Sequence, residues 1–259
     1  MQILFSFLIC LLATTIGGIS GVGGGVIIKP VLDATSGMPV ATISFLSGCT
    51  VLAMTITSML RSRGGEVKVE PRRGTLLAIG AAVGGIVGKE LFELVRSAGG
   101  SAVSVAQQVM MIVLTLGVLA YTLNRPRIAS RDVSNPAACV VIGLVLGLLS
   151  AFLGIGGGPI NLAVLYYFFS MDTKTAALNS LYIILFSQGA SFLSTLVRNT
   201  VPEFEWPVLI VMVVGGIVGG TLGRSISKKL SNTGVDRLFF WLLLVITGIS
   251  CYNLVQCFV

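Results

Sequence analysis

Residues 133–171 run for 39 positions without a Lys, Arg, Asp or Glu. As one helix such a run measures about 58 Å, nearly twice the roughly 30 Å hydrocarbon core of a bilayer. The chain is therefore expected to enter a membrane here and to break inside the run. The break is written Gly154-Ile155-Gly156-Gly157-Gly158-Pro159. Glycine carries a large helix penalty, and proline lacks a donor yet suits the first turn of a new helix. A second break, Gly21-Val22-Gly23-Gly24-Gly25, interrupts the charge-free run 1–28 in the same way.

Six further charge-free runs, 34–60, 74–88, 97–124, 175–197, 206–223 and 238–259, fill the chain. The run at 74–88 keeps its apolar character past Lys89 and Glu90 to about Val95, so its charged end is expected at an interface. With 259 residues, 54% apolar and 10% charged, the chain has no room for a soluble catalytic domain beside these segments. The first run lacks a basic n-region and has an internal counterpart, so it is read as part of the mature protein and not as a cleaved signal. The chain has no His, which removes the usual general base and the commonest zinc ligand. An enzyme, a metal centre and a bound cofactor are not expected. The cysteines, Cys10, Cys49, Cys139, Cys251 and Cys257, sit in apolar surroundings without CxxC spacing and read as small buried hydrophobes. The net charge of +7 lies in short clusters between apolar runs, a pattern that orients membrane proteins and does not point to nucleic acid.

The two breaks belong to an internal repeat. At an offset of 133, Gly21, Gly23, Gly24 and Gly25 fall on Gly154, Gly156, Gly157 and Gly158, followed by Ile27 on Ile160, Thr42 on Thr175, Ser47 on Ser180 and Ser58 on Ser191. At an offset of 131 the hexapeptide VGGIVG at 83–88 recurs at 214–219, and Gly117 and Tyr121 fall on Gly248 and Tyr252. The chain reads as a tandem duplication with halves 1–131 and 132–259, forming one integrated membrane domain.

Basic residues decide between two topologies. If all eight segments cross once, nine Lys and Arg lie on one side and eight on the other, with no bias. If the two broken segments are re-entrant hairpins and six segments cross, the split is thirteen to four. The second arrangement is favoured. Each half then crosses three times, the halves are inverted relative to one another, and both termini lie outside. The expected fold is an all-α polytopic membrane protein of two inverted repeats, each a GxGGG-broken hairpin plus three transmembrane helices. The arm 133–153 is long enough to cross by itself, so the second hairpin is expected to be tilted or asymmetric.

The paired GxGGG segments, the Leu60-Arg61-Ser62-Arg63-Gly64-Gly65 stretch, the glycine-rich helix 80–88 and Gly223-Arg224-Ser225-Ile226-Ser227-Lys228-Lys229-Leu230 resemble the sulfite exporter TauE/SafE family over nearly the whole chain. The resemblance implies a bacterial inner-membrane transporter of sulfur-containing anions such as sulfite or organosulfonates. Where such proteins tend to show Ala-x-Gly-Thr-Ser after each hairpin, this chain has Ala41-Thr42-Ile43-Ser44-Phe45 and Ala176-Ala177-Leu178-Asn179-Ser180. The polar lining differs there.

The residues support an anion site independently. Half-helices starting at Val26 and Pro159 would present unsatisfied N–H groups and a positive dipole end, and glycines let backbone approach an oxyanion. Irregular backbone at membrane depth is tolerated where it is packed in protein or lines a cavity. The candidate substrate-binding residues are Gly21, Gly23, Gly24, Gly25, Gly154, Gly156, Gly157, Gly158, Asn161, Ser47, Asn179, Ser180 and Gln188, with Ser20, Ser44, Thr50 and Ser191 nearby. The competing reading of GxGGG is close helix packing, which is favoured outright for VGGIVG. Asn161 and Gln188 suit either substrate oxygens or interhelical hydrogen bonds. Lys29, four residues after Gly25, would neutralise a substrate anion or snorkel to the headgroups. The expected partners are a small anionic substrate and the lipid bilayer, and a homodimer is compatible with such a chain. A passive anion channel, or a carrier of another carboxylate or oxyanion, would use the same cradle. No Walker lysine follows Gly23-Gly24-Gly25, so ATP-driven transport by this chain alone is not expected.

Overall fold

The structure, a computed structural model, describes residues 2–62, 67–99, 102–153, 155 and 157–256. Gly154, Gly156 and Cys257 lie outside the described residues. Among the described residues there are ten α-helices and no strand: α1 (Gln2–Ser20), α2 (Gly25–Thr35), α3 (Val40–Ser62), α4 (Pro71–Gly99), α5 (Ala102–Asn124), α6 (Pro136–Leu153), α7 (Gly158–Phe169), α8 (Thr173–Val197), α9 (Trp206–Lys229) and α10 (Asn232–Gln256). All but α2 and α7 are long and apolar enough to cross a bilayer. Element ends follow local chemistry. Pro71, Pro136 and Pro207 stand in first turns, where their missing donor costs nothing. Asp172 caps α8 by accepting from the Lys174 and Thr175 amides at 3.0 and 3.2 Å.

Eight helices are long and apolar enough to cross, and the chain doubles back between α6 and α7. The Arg131 amide donates to Tyr167 O at 2.6 Å and the Val133 amide to Phe168 O at 2.8 Å, and Ser170 Oγ bonds Ser130 Oγ and Arg131 O. The end of α7 therefore lies beside the segment that leads into α6. The pair is a lopsided hairpin, with 18 residues inward and 12 back, about 27 and 18 Å. This asymmetry accommodates the long arm noted in the sequence. Helix α2, at 11 residues, is likewise a half-length return, its Ile28 and Leu32 packed with Cys10, Ile43, Leu46, Val208 and Met212 of α1, α3 and α9.

Contacts along the helices fix their directions. Gly215 meets Phe7 and Leu11, Gly219 meets Leu11 and Thr15, and Gly223 meets Thr15 and Gly18, so α1 and α9 run parallel. Gly80 meets Val140 and Leu144, Gly84 meets Leu144 and Leu148, and Gly88 meets Leu148, so α4 and α6 run parallel. Phe45, at the start of α3, stacks on Phe192 near the end of α8, so those two run antiparallel. One face gathers Arg73 with Asp132 at 2.7 Å, Asn179 with the Glu70 amide, Lys228 with Arg61 O, and Arg125 with Asp236. Its described segments hold Arg61, Lys68, Arg72, Arg73, Arg125, Arg127, Arg131, Lys174, Arg224, Lys228, Lys229 and Arg237, twelve of the chain's 17 Lys and Arg. The opposite face carries the Lys89–Thr195 and Glu90–Arg198 contacts.

The glycine stripes correct one reading of the repeat. Gly80, Gly84 and Gly88 on α6 make the contacts that Gly215, Gly219 and Gly223 make on α1. That is an offset of 135, one helical turn from the offset of 131 at which VGGIVG matches itself. A stripe with glycine every fourth residue keeps glycine on glycine when it slides by a turn, so sequence identity alone selects the wrong register. Such stripes let backbones touch where lipid supplies no hydrophobic drive for helices to associate.

Candidate functional site

The breaks are built by backbone conformation. Gly21, Gly23, Gly157 and Gly158 have φ of 80°, 81°, 114° and 60°, a region L side chains rarely adopt. Gly24, by contrast, has φ −68°. It must be glycine because a Cβ there would stand 2.7 Å from Thr14 Cγ2. Gly24 and Gly157 are the N-caps of α2 and α7, and neither supplies a side-chain cap.

The structure brings the two half-helix N-termini together. A Cβ on Gly25 would lie 2.5 Å from Ile155 O, and one on Gly158 would lie 3.2 Å from Val26 Cγ2. Val51 flanks Gly25, and Ile184 flanks Gly157. Counting from Val40 and Thr173, Val51 and Ile184 are each the twelfth residue of helices 23 and 25 long. The meeting point is thus halfway along both helices.

The polar candidates divide. Ser180 Oγ donates to Gly21 O at 2.6 Å and is part of the first break. Asn161 stands at the second, its Nδ2 against Gly157 and its buried Oδ1 without a partner among the described residues. Ser47, the repeat counterpart of Ser180, has a buried Oγ without a partner among the described residues. Asn179 lies away from the junction: its Oδ1 accepts from the Glu70 amide and its Nδ2 donates to Thr175 O, holding the α3–α4 connection at the basic face. Lys29 neither faces the junction as a free cation nor snorkels. It is 3% exposed, and its Nζ donates to Leu153 O at 2.8 Å and Gln107 Oε1 at 3.1 Å. Gln107 Nε2 donates in turn to Phe152 O. The ammonium therefore caps the C-terminal carbonyls of α6 and ties the first half-helix to the arm of the second hairpin.

Gln188 belongs to a cavity of about 430 Å³ between α3, α4, α6 and α8 that extends to Thr200 and Pro202 at the face opposite the basic one. Its polar lining includes Ser44, Cys49, Lys89, Glu93, Gln188, Ser191 and Thr195. Its deep end is formed by Gly48, Ala151 and Gln188, where a Cβ on Gly48 would lie 3.1 Å from Gln188 Oε1. Gly48 and Gln188 are one turn from Val51 and Ile184, so the cavity ends about one turn short of the junction. Lys89 donates to Thr195 Oγ1 and pairs with Glu93 at 3.7 Å. Sequence reasoning did not single out Lys89 or Thr195. The available signal was a lysine well inside an apolar helix, which membrane energetics reserves for function.

A family model described as sulfite exporter TauE/SafE matches residues 6–250. The chain is 26% identical to a probable membrane transporter protein, YunE, of Bacillus subtilis, over 91% of this chain and 92% of that one. It is 22% identical to a probable membrane transporter protein of Xylella fastidiosa, over 91% and 88%. A shorter match, 29% identical, covers 44% of this chain and 19% of the probable membrane transporter protein MamO of Magnetospirillum gryphiswaldense. No solved structure matches.

Proposed function

The chain belongs to the sulfite exporter TauE/SafE family and is a multi-pass membrane transporter, and we propose that it moves small sulfur-containing anions such as sulfite or organosulfonates outward as a secondary transporter. The observation that carries this reading is the meeting of two uncapped half-helix N-termini midway along α3 and α8, one turn below a polar cavity. Each terminus offers backbone N–H groups and the positive end of a helix dipole, which suits an oxyanion without requiring a fixed cation. Asn161 and Gln188 add side-chain amides on either side of the junction.

Helices α1 and α6, which occupy matching places in the repeat, run in opposite directions, and this supports inverted halves 1–131 and 132–259. The basic face is the cytoplasmic one by the positive-inside rule, in the inner membrane of a bacterial cell, so the cavity opens outward. An inside-negative potential then drives an anion out with about 2.3 kcal/mol per charge per 100 mV. A carrier is favoured over an open channel because the Ser180–Gly21 and Arg224–Ser62 contacts pack the basic end of the path, while the cavity lies toward the other. A thermal-shift screen of purified protein against sulfite, thiosulfate, methanesulfonate and acetate tests the substrate class. Concentration-dependent stabilisation by the sulfur anions supports the reading, and stabilisation by acetate alone overturns it.

A further inference from the structure

The packing of α9 on α3 copies that of α4 on α8 to the ends of the helices. At the outward end, Lys89 donates to Thr195 Oγ1 and Ser191 Oγ donates to Gly85 O at 3.1 Å. At the basic end, Arg224 Nε donates to Ser62 Oγ at 2.6 Å and Ser58 Oγ donates to Gly220 O at 3.4 Å. The offset of 135 carries Lys89 to Arg224 and Gly85 to Gly220. The offset of 133 relates Ser191 to Ser58 and Thr195 to Ser62. The same group, a cation on a hydroxyl with a serine one turn deeper, stands at both ends of one path.

Its surroundings differ. Lys89, Ser191 and Thr195 line the outward cavity, and Glu93 balances the lysine. Arg224 is 4% exposed, Ser58 is fully buried, and no acid lies within ion-pair distance of Arg224 among the described residues. The described residues supply Arg224 no counter-charge, and a buried cation in that setting is completed by an anion, whereas a snorkelling arginine would leave its head exposed. Only Nε is engaged among the described residues, and the guanidinium fork matches two oxygens of an oxyanion.

We infer that Arg224, with Ser58 and Ser62, forms the cytoplasmic oxyanion station of the transport path, the counterpart of the Lys89 wall outside. It rests on the transporter reading above. In this structure α1, α3 and α9 close over it, with Ser227 Oγ on Ile19 O and Lys228 on Arg61 O. When the basic face opens, the guanidinium takes the sulfite or sulfonate oxygens arriving from the cytoplasm. A purely structural Arg224, capping the end of α3, would affect folding alike for both directions of flux.

Sidedness separates the two roles. Sulfite uptake is measured in inside-out membrane vesicles, where the cytoplasmic face meets added substrate, and in right-side-out vesicles, where the cavity does. Arg224→Gln should raise half-saturation at least tenfold in inside-out vesicles and change it less than twofold in right-side-out ones. Arg224→Lys should recover most of the loss, and Lys89→Gln should show the opposite sidedness. If Arg224→Gln fails to insert, Ser62→Ala, which removes the hydroxyl under the guanidinium, should give the same sided shift in smaller measure. Equal shifts on both sides, or none, overturn the station while leaving sulfite transport standing. Absence of wild-type sulfite flux in both preparations overturns the transporter reading, and the station with it.

Discussion

Two sets of buried glycines look alike in the sequence and act differently in the molecule. The stripe glycines, Gly80, Gly84 and Gly88 on α6 and Gly215, Gly219 and Gly223 on α1, keep ordinary helical backbone and exist so that another helix can come close. The break glycines Gly21, Gly23, Gly157 and Gly158 hold positive φ and end one helix before another begins. Glycine is required by the neighbour in the first set and by the residue's own backbone in the second. Gly24 falls between them: it sits in a break, yet its φ is ordinary and Thr14 is what excludes a side chain.

The largest effect should come from the stripes. A Cβ on Gly84 would overlap Leu144 O, and one on Gly219 would overlap Thr14 Oγ1. Gly84→Val and Gly219→Val should cost upwards of about 3 kcal/mol. The expected result is no monodisperse peak on size-exclusion chromatography of detergent extracts. A well-behaved Gly84→Val protein would show that the α4–α6 contact is looser than described.

Within the breaks, Gly157→Ala should fold but lose transport at least tenfold, since φ 114° strains any L residue and the new methyl would lie 2.5 Å from Ile184 Cγ1. Trimming neighbours should not restore it. Gly24→Ala should lose activity for a steric reason only, and the double variant with Thr14→Ser, which removes Cγ2, should regain a measurable part. Rescue at both positions, or at neither, would erase the distinction between the two break glycines.

Lys29→Met removes the ammonium that holds Leu153 O and Gln107. Charge-assisted hydrogen bonds of this kind contribute about 2 kcal/mol, so the melting temperature of purified protein should fall while half-saturation for sulfite stays within twofold. A selective loss of affinity would instead return Lys29 to the site. The smallest effect is expected for Gln188→Ala at the cavity's deep end. It should weaken affinity by about 1 kcal/mol, roughly fivefold, with the melting temperature unchanged.

The fold's outline was legible because charge-free runs and glycine-proline breaks report directly on membrane depth. The 39-residue run had to break at Gly154–158, and α6 and α7 part there. The hairpin return was legible only through charge counting, which registers faces and not contacts. The register of α4 against α9 was misread, since the four-residue glycine period survives a one-turn slide. Asn179 and Lys29 were grouped near the breaks by sequence distance. Which way each points depends on partners far away in the chain, Glu70 for one and Gln107 and Leu153 for the other. Lys89 was read only as part of a charged helix end at an interface, because its role as cavity lining needs α8 beside it.

The central claim, that the paired breaks form a potential-driven path for sulfur oxyanions, is tested most directly by sulfite efflux from proteoliposomes containing only this protein. Sulfite is loaded inside, the cytoplasmic face is oriented inward, and an inside-negative potential is imposed without nucleotide. The account predicts efflux that saturates with sulfite, rises with the potential and drops at least tenfold in the Gly157→Ala variant. Efflux that ignores the potential, requires ATP, or proceeds equally well in Gly157→Ala would contradict it.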